Sequence, residues 1–550
     1  MEIDYLIHST KLLHNTYKTM TTTNDITMTI EFDDALLYGL NNFGILNLTS
    51  ASGTPTAKPQ HILYMLDKSG SMSTMDSKDH SRLYYIIQTL RNMLKLFSET
   101  ADVEIYVTVM LFDESVSTVM ENIKVSADNI ETLLAQADGI ANGSHGNSTN
   151  IEIALKFARA TLESVRFNNP EYENHHVFMT DGDANVGCFD VKGLRDLIDY
   201  ENTNNVFIGF GADHNSRLLS GISNNSYYFI DNIEKAGLVY GEIVHGILYK
   251  SFTGVEITVE NGQIYNWVDN TWSNKLSVGN LVGGMTKTYH LNTDDTSVLT
   301  VTVTSKTDDV EFKSATVTNA SLTSYMYRQR ACELMFAATN VYDLGGDDLK
   351  NKMKLLMDEM QAYMSNCTDE MENKMVKRLC DDLYVSYMTL GTARGHMYTL
   401  SRQASQGLQR CYTVNHSQED ENDDYPTTPT MGGLSRQPTR CANDDVNDDD
   451  AMPMPTYRSS GLGRQATPAI PRLRRQTNMP AAAFQNYMVT DQLDDAPYST
   501  PQCLKMMRAV SSAHTDTSYY AQSPAREELE EGEIEEVEEG EVEEGEVEEE

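Results

Sequence analysis

The stretch HILYMLD, residues 61–67, decides the fold, and it runs directly into the polar turn KSGSM at 68–72. Its seven residues form a nearly continuous apolar run, which is typical of a strand that is buried on both faces of a sheet. Strands of this kind occur in α/β proteins, where helices cover both faces. We therefore expect a layered α/β domain around this segment.

Segments of strand and helix character alternate from residue 61 to residue 250. The further strands are VEIYVTVMLFD (103–113), HHVFMTDGD (175–183), NVFIGFGA (205–212) and SYYFID (226–231). Apolar residues at helical spacing mark SRLYYIIQTLRNMLKLF (81–97), DNIETLLAQA (128–137) and NIEIALKFARATLESV (150–165). This alternation predicts a doubly wound, mostly parallel sheet of the Rossmann-like class over residues 61–250.

Polar residues with oxygen side chains stand where these strands end. Asp67, Ser69 and Ser71 follow the first strand, Thr149 precedes a helix, and Asp181 follows HHVFMT. Ligands of open α/β sheets bind just beyond the carboxyl ends of the strands. Carboxylate and hydroxyl oxygens suit a hard cation, above all Mg²⁺, with Mn²⁺ as a second ion. The alternative is that the hydroxyls cap helices and Asp181 stabilises a turn.

This set of five residues resembles the metal-ion-dependent adhesion site of von Willebrand factor A domains, in order, spacing and setting. The resemblance covers about 61–250 and implies that Asp67, Ser69, Ser71, Thr149 and Asp181 hold the metal ion directly or through water. It also implies that an acidic residue of a protein partner completes the coordination. Two carboxylates leave a divalent cation electrophilic, and Mg²⁺ keeps exchangeable waters that such a residue can replace.

Composition divides the rest of the chain into further regions. Residues 1–24 are an N-terminal segment, and strands at 25–60 are expected to join those at 253–318 in a small β-sandwich. Residues 322–408 have the pattern of three amphipathic helices. A Ser/Thr/Pro/Asp-rich linker at 412–525 and a Glu-rich tail at 526–550 are expected to be disordered, because they contain too few apolar residues to form a core.

The charge and the cysteine content of the chain argue against several classes of function and location. The chain of 550 residues has a net charge of −39, and without the 16 Glu and one Arg of 526–550 it still carries −24. Such acidity argues against nucleic-acid binding and against docking on anionic membranes. No apolar run is long enough to span a membrane, and no secretory signal is recognisable. Seven scattered cysteines indicate a reduced, intracellular protein, cytoplasmic or part of a virion.

We expect a binding module and not an enzyme. The order of domains also resembles eukaryotic and large-DNA-virus proteins that join a von Willebrand A domain to a β domain and C-terminal helices, with TARGHMYTLSRQASQGLQRCYTV (392–414) similar to their closing segment. The alternatives are a ubiquitin-ligase-like protein, a metal-dependent hydrolase using Asp183 or His214 as a base, and a structural virion component.

Two sequence features outside the α/β domain suggest further interactions. Arg-x-x-Ser/Thr units recur four times, at 402–405, 436–439, 464–467 and 474–477, a pattern that basophilic kinases phosphorylate. The alternative is a low-complexity repeat without a reader. The Glu-rich tail is either a binding site for a basic protein or a solubilising extension.

Overall fold

The computed structural model describes residues 26–412 and 498–511, with short gaps in the first range at 34–41, 52–54, 57, 76–79, 101, 144–145, 147, 212–213, 231–235, 307–310, 314–315 and 342–345. The strands are β1 Ile26–Phe32, β2 Phe43–Ser50, β3 Gln60–Asp67, β4 Ile105–Phe112, β5 Val116–Lys124, β6 Glu173–Thr180, β7 Thr203–Phe210, β8 Tyr227–Ile230, β9 Lys250–Glu260, β10 Gln263–Asn266, β11 Thr271–Ser273, β12 Lys275–Val282, β13 Thr286–Asn292, β14 Thr300–Thr304, β15 Glu311–Lys313 and β16 Thr316–Asn319. The helices are α1 Arg82–Glu99, α2 Ile130–Gly139, α3 Ile151–Asn168, α4 Val191–Arg195, α5 Ser216–Ser223, α6 Ala236–Leu248, α7 Thr323–Thr339, α8 Asp347–Met364, α9 Glu370–Thr389, α10 Ala393–Leu408 and α11 Pro501–Ser511.

The central sheet has the strand order β5-β4-β3-β6-β7-β8. β3 is buried along its whole length and pairs in parallel with β4 and β6. The predicted doubly wound, mostly parallel sheet is therefore confirmed. Sequence analysis missed one strand, the antiparallel edge strand β5, whose residues are mostly exposed or half-buried and lack the apolar run of the inner strands.

Buried polar side chains tie the inner strands together at their amino ends. His61 lies within 2.9 Å of Asn174 Oδ1 on β6 and of Thr108 Oγ1 on β4. His175 Nε2 is 2.7 Å from Gln60 Oε1, which joins β6 to β3. These histidines are structural because their ring nitrogens are used inside the sheet. Burial lowers the pKa of His61 to about 4, although the hydrogen bond with Asn174 opposes this shift.

Two further sheets form the sandwich beside the α/β domain. One has the order β11-β10-β13-β2-β1-β16 and the other β12-β9-β14-β15. β2 pairs antiparallel with β13, and β1 pairs in parallel with β16. The expected pairing of strands from 25–60 with strands from 253–318 is thus confirmed. The α/β domain lies in the chain between β2 and β9, as an insertion in this sandwich.

The helical region contains four helices, and the prediction of three over 322–408 was wrong. Gly391 in the left-handed region (φ 81°) ends α9, and the Thr392 hydroxyl accepts the Gly395 N–H at 2.9 Å to begin α10. α10 buries charged residues, since Arg402 is fully buried between Asp381 and Asp382, with Nη1 2.7 Å from a carboxylate oxygen of each. Polar side chains are thus buried in this helix together with its apolar ones.

The burial of α10 also bears on the first Arg-x-x-Ser unit. Arg402 and Ser405 are both buried, and the Ser405 hydroxyl donates to the Tyr412 carbonyl at 3.3 Å. This copy is therefore not exposed in the fold, and a kinase could reach it only after α10 opens. Phosphorylation of the repeats stays a prediction. The other three copies lie outside the described residues, as do 1–24 and the Glu-rich tail.

The prediction that all of 412–525 is disordered was wrong for residues 498–511. Helix α11 packs against α6 and α1 and buries Cys503, Met506, Met507 and Val510. Their spacing is that of one helical face, a signal too short to stand out in a polar linker. α6 allows close packing because it presents glycine, and a Cβ added at Gly241 would lie 2.5 Å from Met507 Cα. Among the helices of the described residues, none is long and apolar enough to cross a bilayer.

Candidate metal site

Asp67 ends β3 and is fully buried at the carboxyl edge of the sheet. Its Oδ1 accepts the Ser69 N–H at 2.7 Å, and its Oδ2 accepts the Thr180 hydroxyl at 2.5 Å. Burial raises the pKa of Asp67 to about 6, the hydrogen bonds from Thr180 and Ser69 oppose this shift, and the nearby carboxylate of Asp181 adds to it. A bound cation would relieve this desolvation cost, because it would stabilise the ionised carboxylate.

Ser69 and Ser71 lie on the turn that follows Asp67. Their hydroxyl oxygens are 3.0 Å apart, and the Ser71 hydroxyl donates to Asp181 Oδ1 at 2.6 Å. The turn continues as a short 3₁₀ helix over Gly70–Ser73, which the buried Met72 anchors in the core. Ser71 is only half-buried, so it gives the group of hydroxyls a side that solvent can reach.

Thr149 reaches the same place from the loop before α3. Its N–H donates to Asn185 Oδ1 at 2.8 Å, and its carbonyl accepts the Asn185 N–H at 3.1 Å, which fastens this loop to the one that carries Asp181. A Cβ added at Gly182 would lie 3.5 Å from Thr149 Oγ1 and 3.6 Å from Ser71 Oγ. Both hydroxyls therefore border one point above Gly182.

A third carboxylate, that of Asp113 directly after β4, holds the loops around the site in place. Its Oδ2 is 3.0 Å from Lys68 Nζ, and its carbonyl accepts the Asn150 N–H at 2.9 Å. Burial works to raise the pKa of Asp113, but hydrogen bonds from Ser115 and Lys68 outweigh it and the pKa is lowered. Gly146 packs against this side chain, since an added Cβ would be 2.5 Å from Asp113 Cβ.

The structure thus brings together all five residues that the sequence singled out. They are Asp67, Ser69, Ser71, Thr149 and Asp181. The donors are two carboxylates and three hydroxyls, all hard oxygens, and this set fits Mg²⁺ or Mn²⁺. The part of the chain that the structure describes holds no group of three or more His, Cys, Asp or Glu that could bind a metal ion. A cation at this site would therefore depend on the hydroxyls as much as on the carboxylates.

Comparison with known proteins identifies this part of the chain. Residues 62–183 match the sequence profile of the von Willebrand factor type A domain. They form a von Willebrand factor type A domain. No curated protein matches the full sequence. Among solved structures, the chain is similar to a von Willebrand factor type A protein from Catenulispora acidiphila, with 13% identity over 65% of this chain and 91% of the other and a TM-score of 0.46.

Two further solved structures are similar to the chain. The ArnB paralog VWA2 from Sulfolobus acidocaldarius is 12% identical over 70% of this chain and 98% of its own, with a TM-score of 0.41. Proximal thread matrix protein 1 from the mussel byssus, with zinc in its MIDAS motif, is 16% identical over 38% of this chain and 51% of its own, with a TM-score of 0.29.

Sequence analysis of the von Willebrand A domain missed Arg82, the first residue of α1. Its Nη1 lies 2.7 Å from Asp181 Oδ2, opposite the oxygen that accepts the Ser71 hydroxyl. Gly211 leaves room for the guanidinium, since an added Cβ would be 3.3 Å from Arg82 Cζ. Arg82 therefore neutralises one of the two carboxylates. Nothing in the spacing of Arg82 and Asp181, 99 residues apart, could have revealed this pair.

His214, one of the two bases considered for a hydrolase, lies in the interior of the von Willebrand A domain. It is buried, with Nδ1 2.6 Å from the Gly211 carbonyl oxygen and Nε2 2.6 Å from the Tyr227 hydroxyl. Both ring nitrogens are thus used by protein groups. The histidine joins the end of β7 to β8.

Proposed function

We propose that the von Willebrand A domain is a metal-dependent protein-binding module. In this proposal Asp67, Ser69, Ser71, Thr149 and Asp181 hold Mg²⁺, and a carboxylate of a protein partner completes the coordination. The observation that carries the proposal is the grouping of three hydroxyls and the Asp181 carboxylate at one partly accessible point, beside the buried Asp67 at the carboxyl edge of the sheet. Mn²⁺ is expected to substitute for Mg²⁺, because both ions prefer oxygen donors.

The charge balance of the site supports an acidic partner. A divalent cation brings two positive charges, Asp67 and Asp181 supply two negative ones, and Arg82 adds one positive charge beside Asp181. The loaded site would carry a net charge near +1, which favours an incoming carboxylate. The chain as a whole carries −39, but surface charges more than about 10 Å away are largely screened at physiological salt. The local charge therefore outweighs the distant ones.

One of the two bases considered for a hydrolase, His214, is already engaged by other groups of the protein. A hydrolase needs a general base beside the metal-bound water, and the imidazole of His214 is occupied by Gly211 and Tyr227. We place this activity inside a cell, in the cytoplasm or within a particle, because the seven cysteines are scattered along the sequence and do not form the pattern of a disulfide framework. We also propose that the Glu-rich tail binds a basic protein.

The first test measures the ion itself. We expect calorimetric titration with Mg²⁺ and Mn²⁺ to show one site in the wild type and at least about tenfold weaker binding in Ser71→Ala, because a hydrogen-bonded oxygen beside a charge is lost. Ser73→Ala is the matched control. It lies on the same turn, but its hydroxyl donates to the Gly70 carbonyl at 2.6 Å and is not among the five donors. Equal affinity in both variants would contradict the proposed donor set.

The second test concerns the partner. Proteins captured from a lysate on the wild type in Mg²⁺ should be absent in EDTA and absent with Asp67→Ala, and neutralising their acidic residues should abolish binding. Partners that persist in EDTA and on Asp67→Ala would show that recognition occurs elsewhere on the chain.

A further inference from the structure

Two buried cysteines from distant parts of the chain lie in contact. Cys411 follows α10, Cys503 is in the first turn of α11, and their sulfur atoms are 3.4 Å apart. The two residues are separated by 92 positions, and both are almost completely buried. The contact of Cys411 and Cys503 thus lies where α11 packs against the rest of the fold.

The backbone at each cysteine is fixed by its own hydrogen bonds. The N–H groups of Cys411 and Tyr412 donate to the two carboxylate oxygens of Glu242 on α6, at 2.8 Å and 3.2 Å. The Cys503 N–H donates to the Thr500 hydroxyl at 3.1 Å, which caps α11. A disulfide bond is about 2.05 Å long, so the sulfurs need to approach each other by only about 1.3 Å. Rotation of the two cysteine side chains can bring the sulfurs together while the backbone keeps these hydrogen bonds.

We propose that Cys411 and Cys503 are a redox modification site, at which a reversible disulfide fastens the C-terminal helix to the rest of the fold. The oxidant is a small disulfide such as oxidised glutathione. One cysteine attacks it as the thiolate, forms a mixed disulfide and releases one glutathione thiol. The second cysteine then attacks the mixed disulfide, closes the Cys411–Cys503 bond and releases the second glutathione. Two protein thiols are oxidised and one glutathione disulfide is reduced.

The bond would act where a short helix packs against the rest of the fold. α11 has 11 residues and rests on α6 and α1, where the Asn92 side chain donates to the Val510 carbonyl at 2.7 Å and the Gln502 side chain to the Tyr249 hydroxyl at 2.7 Å. In the closed state the thiols are shielded, and both the hydrogen bond to Cys503 and burial raise the pKa of Cys411. Oxidation therefore requires α11 to lift briefly, and the disulfide then prevents it from lifting again.

The test uses the full chain in glutathione buffers of increasing oxidised fraction, followed by trapping of free thiols, tryptic digestion without reductant and mass spectrometry. We expect a disulfide between the tryptic peptides 411–436 and 476–505. The link should disappear on reduction and in Cys411→Ser and Cys503→Ser. Cys332→Ser, which removes a buried cysteine of the helical region, should retain it.

Hydrogen exchange then measures the effect of the disulfide on the stability of α11. It compares the oxidised with the reduced wild type, so it does not depend on the folding of a variant. We expect amide exchange in 501–511 to be at least about tenfold slower in the oxidised than in the reduced protein, because the lifting motion is blocked. No link at any buffer composition would overturn the proposal. So would a link from Cys411 to Cys441 that forms as readily, or unchanged exchange in α11 after oxidation.

Discussion

Replacing Asp67 by asparagine is expected to stabilise the metal-free protein at neutral pH while removing its metal binding. The carboxylate is fully buried, and burial raises its pKa from 3.8 to about 6. Asparagine has the same shape without the charge. Its carbonyl oxygen can accept the Ser69 N–H, and its amide can donate to the Thr180 hydroxyl, so both hydrogen-bond partners of Asp67 remain satisfied.

The magnitude follows from the shift in pKa. Below pH 3.8 the carboxyl group is protonated in both the folded and the unfolded chain and contributes nothing. As the pH rises from 3.8 to 6, the unfolded chain loses its proton first, so the folded state becomes less stable by an amount that is complete above pH 6. A rise of about two pKa units corresponds to about 3 kcal/mol. Asp67→Asn should recover about this much at pH 8 and almost none of it at pH 3.

Hydrogen exchange in the α/β domain is the suitable assay. The two tryptophans of the chain, Trp267 and Trp272, lie in or beside the sandwich strands, so their fluorescence does not report on the central sheet. Peptides from β6, which pairs with β3, measure unfolding of that sheet directly. We expect slower exchange in Asp67→Asn than in wild type at pH 8 with EDTA. Added Mg²⁺ at 100 times its Kd should stabilise only the wild type, by about 2.7 kcal/mol.

Asp113→Asn is the matched control for this experiment. It is the same substitution at the same edge of the sheet, but Asp113 pairs with Lys68 and its pKa is lowered, so the variant should be destabilised at pH 8. The two substitutions are thus expected to have opposite signs. If Asp67→Asn accelerated exchange at pH 8 as Asp113→Asn does, Asp67 would not be a desolvated charge and the argument would fail.

Three further predictions concern the metal site, the sheet and the C-terminal helix. Arg82→Met removes a positive charge from a carboxylate of the site, so Mg²⁺ should bind at least about tenfold tighter by calorimetry, and weaker binding would contradict the charge balance. His61 has a folded-state pKa of about 4, so below pH 6.5 the unfolded chain takes up a proton before the folded chain does, and the free energy of unfolding should fall by about 3 kcal/mol between pH 6.5 and 4. In His61→Gln, hydrogen exchange in β6 should depend less on pH over this range. The same pH profile in the variant and the wild type would refute this. Gly241→Leu should displace α11, because even a Cβ would lie 2.5 Å from Met507 Cα, and exchange in 501–511 should become faster. Gly246→Ala on the same helix meets nothing within 4 Å and should leave it unchanged.

Periodicity in the sequence was sufficient for the parts of the fold that follow it. The apolar run at 61–67 and the alternation from 61 to 250 led to the correct class of sheet, because strands that are buried on both faces carry runs of apolar residues. Apolar periodicity failed to predict helices that bury polar side chains or that have only a few buried residues. α10 buries polar residues such as Arg402 beside its apolar ones, and α11 has only four buried apolar positions in a polar linker, so the fourth and the C-terminal helix were missed.

The sequence by itself determined the candidate site, because Asp67, Ser69 and Ser71 are neighbours in one turn and the carboxyl ends of parallel strands meet at one edge. Whether these residues bind an ion stays a prediction. Only the tertiary structure decided which residues surround this site and which residues α11 contacts. Arg82 meets Asp181 across 99 residues, and Cys411 meets Cys503 across 92. Such pairs arise from the packing of whole elements, which no local spacing of charges or thiols encodes.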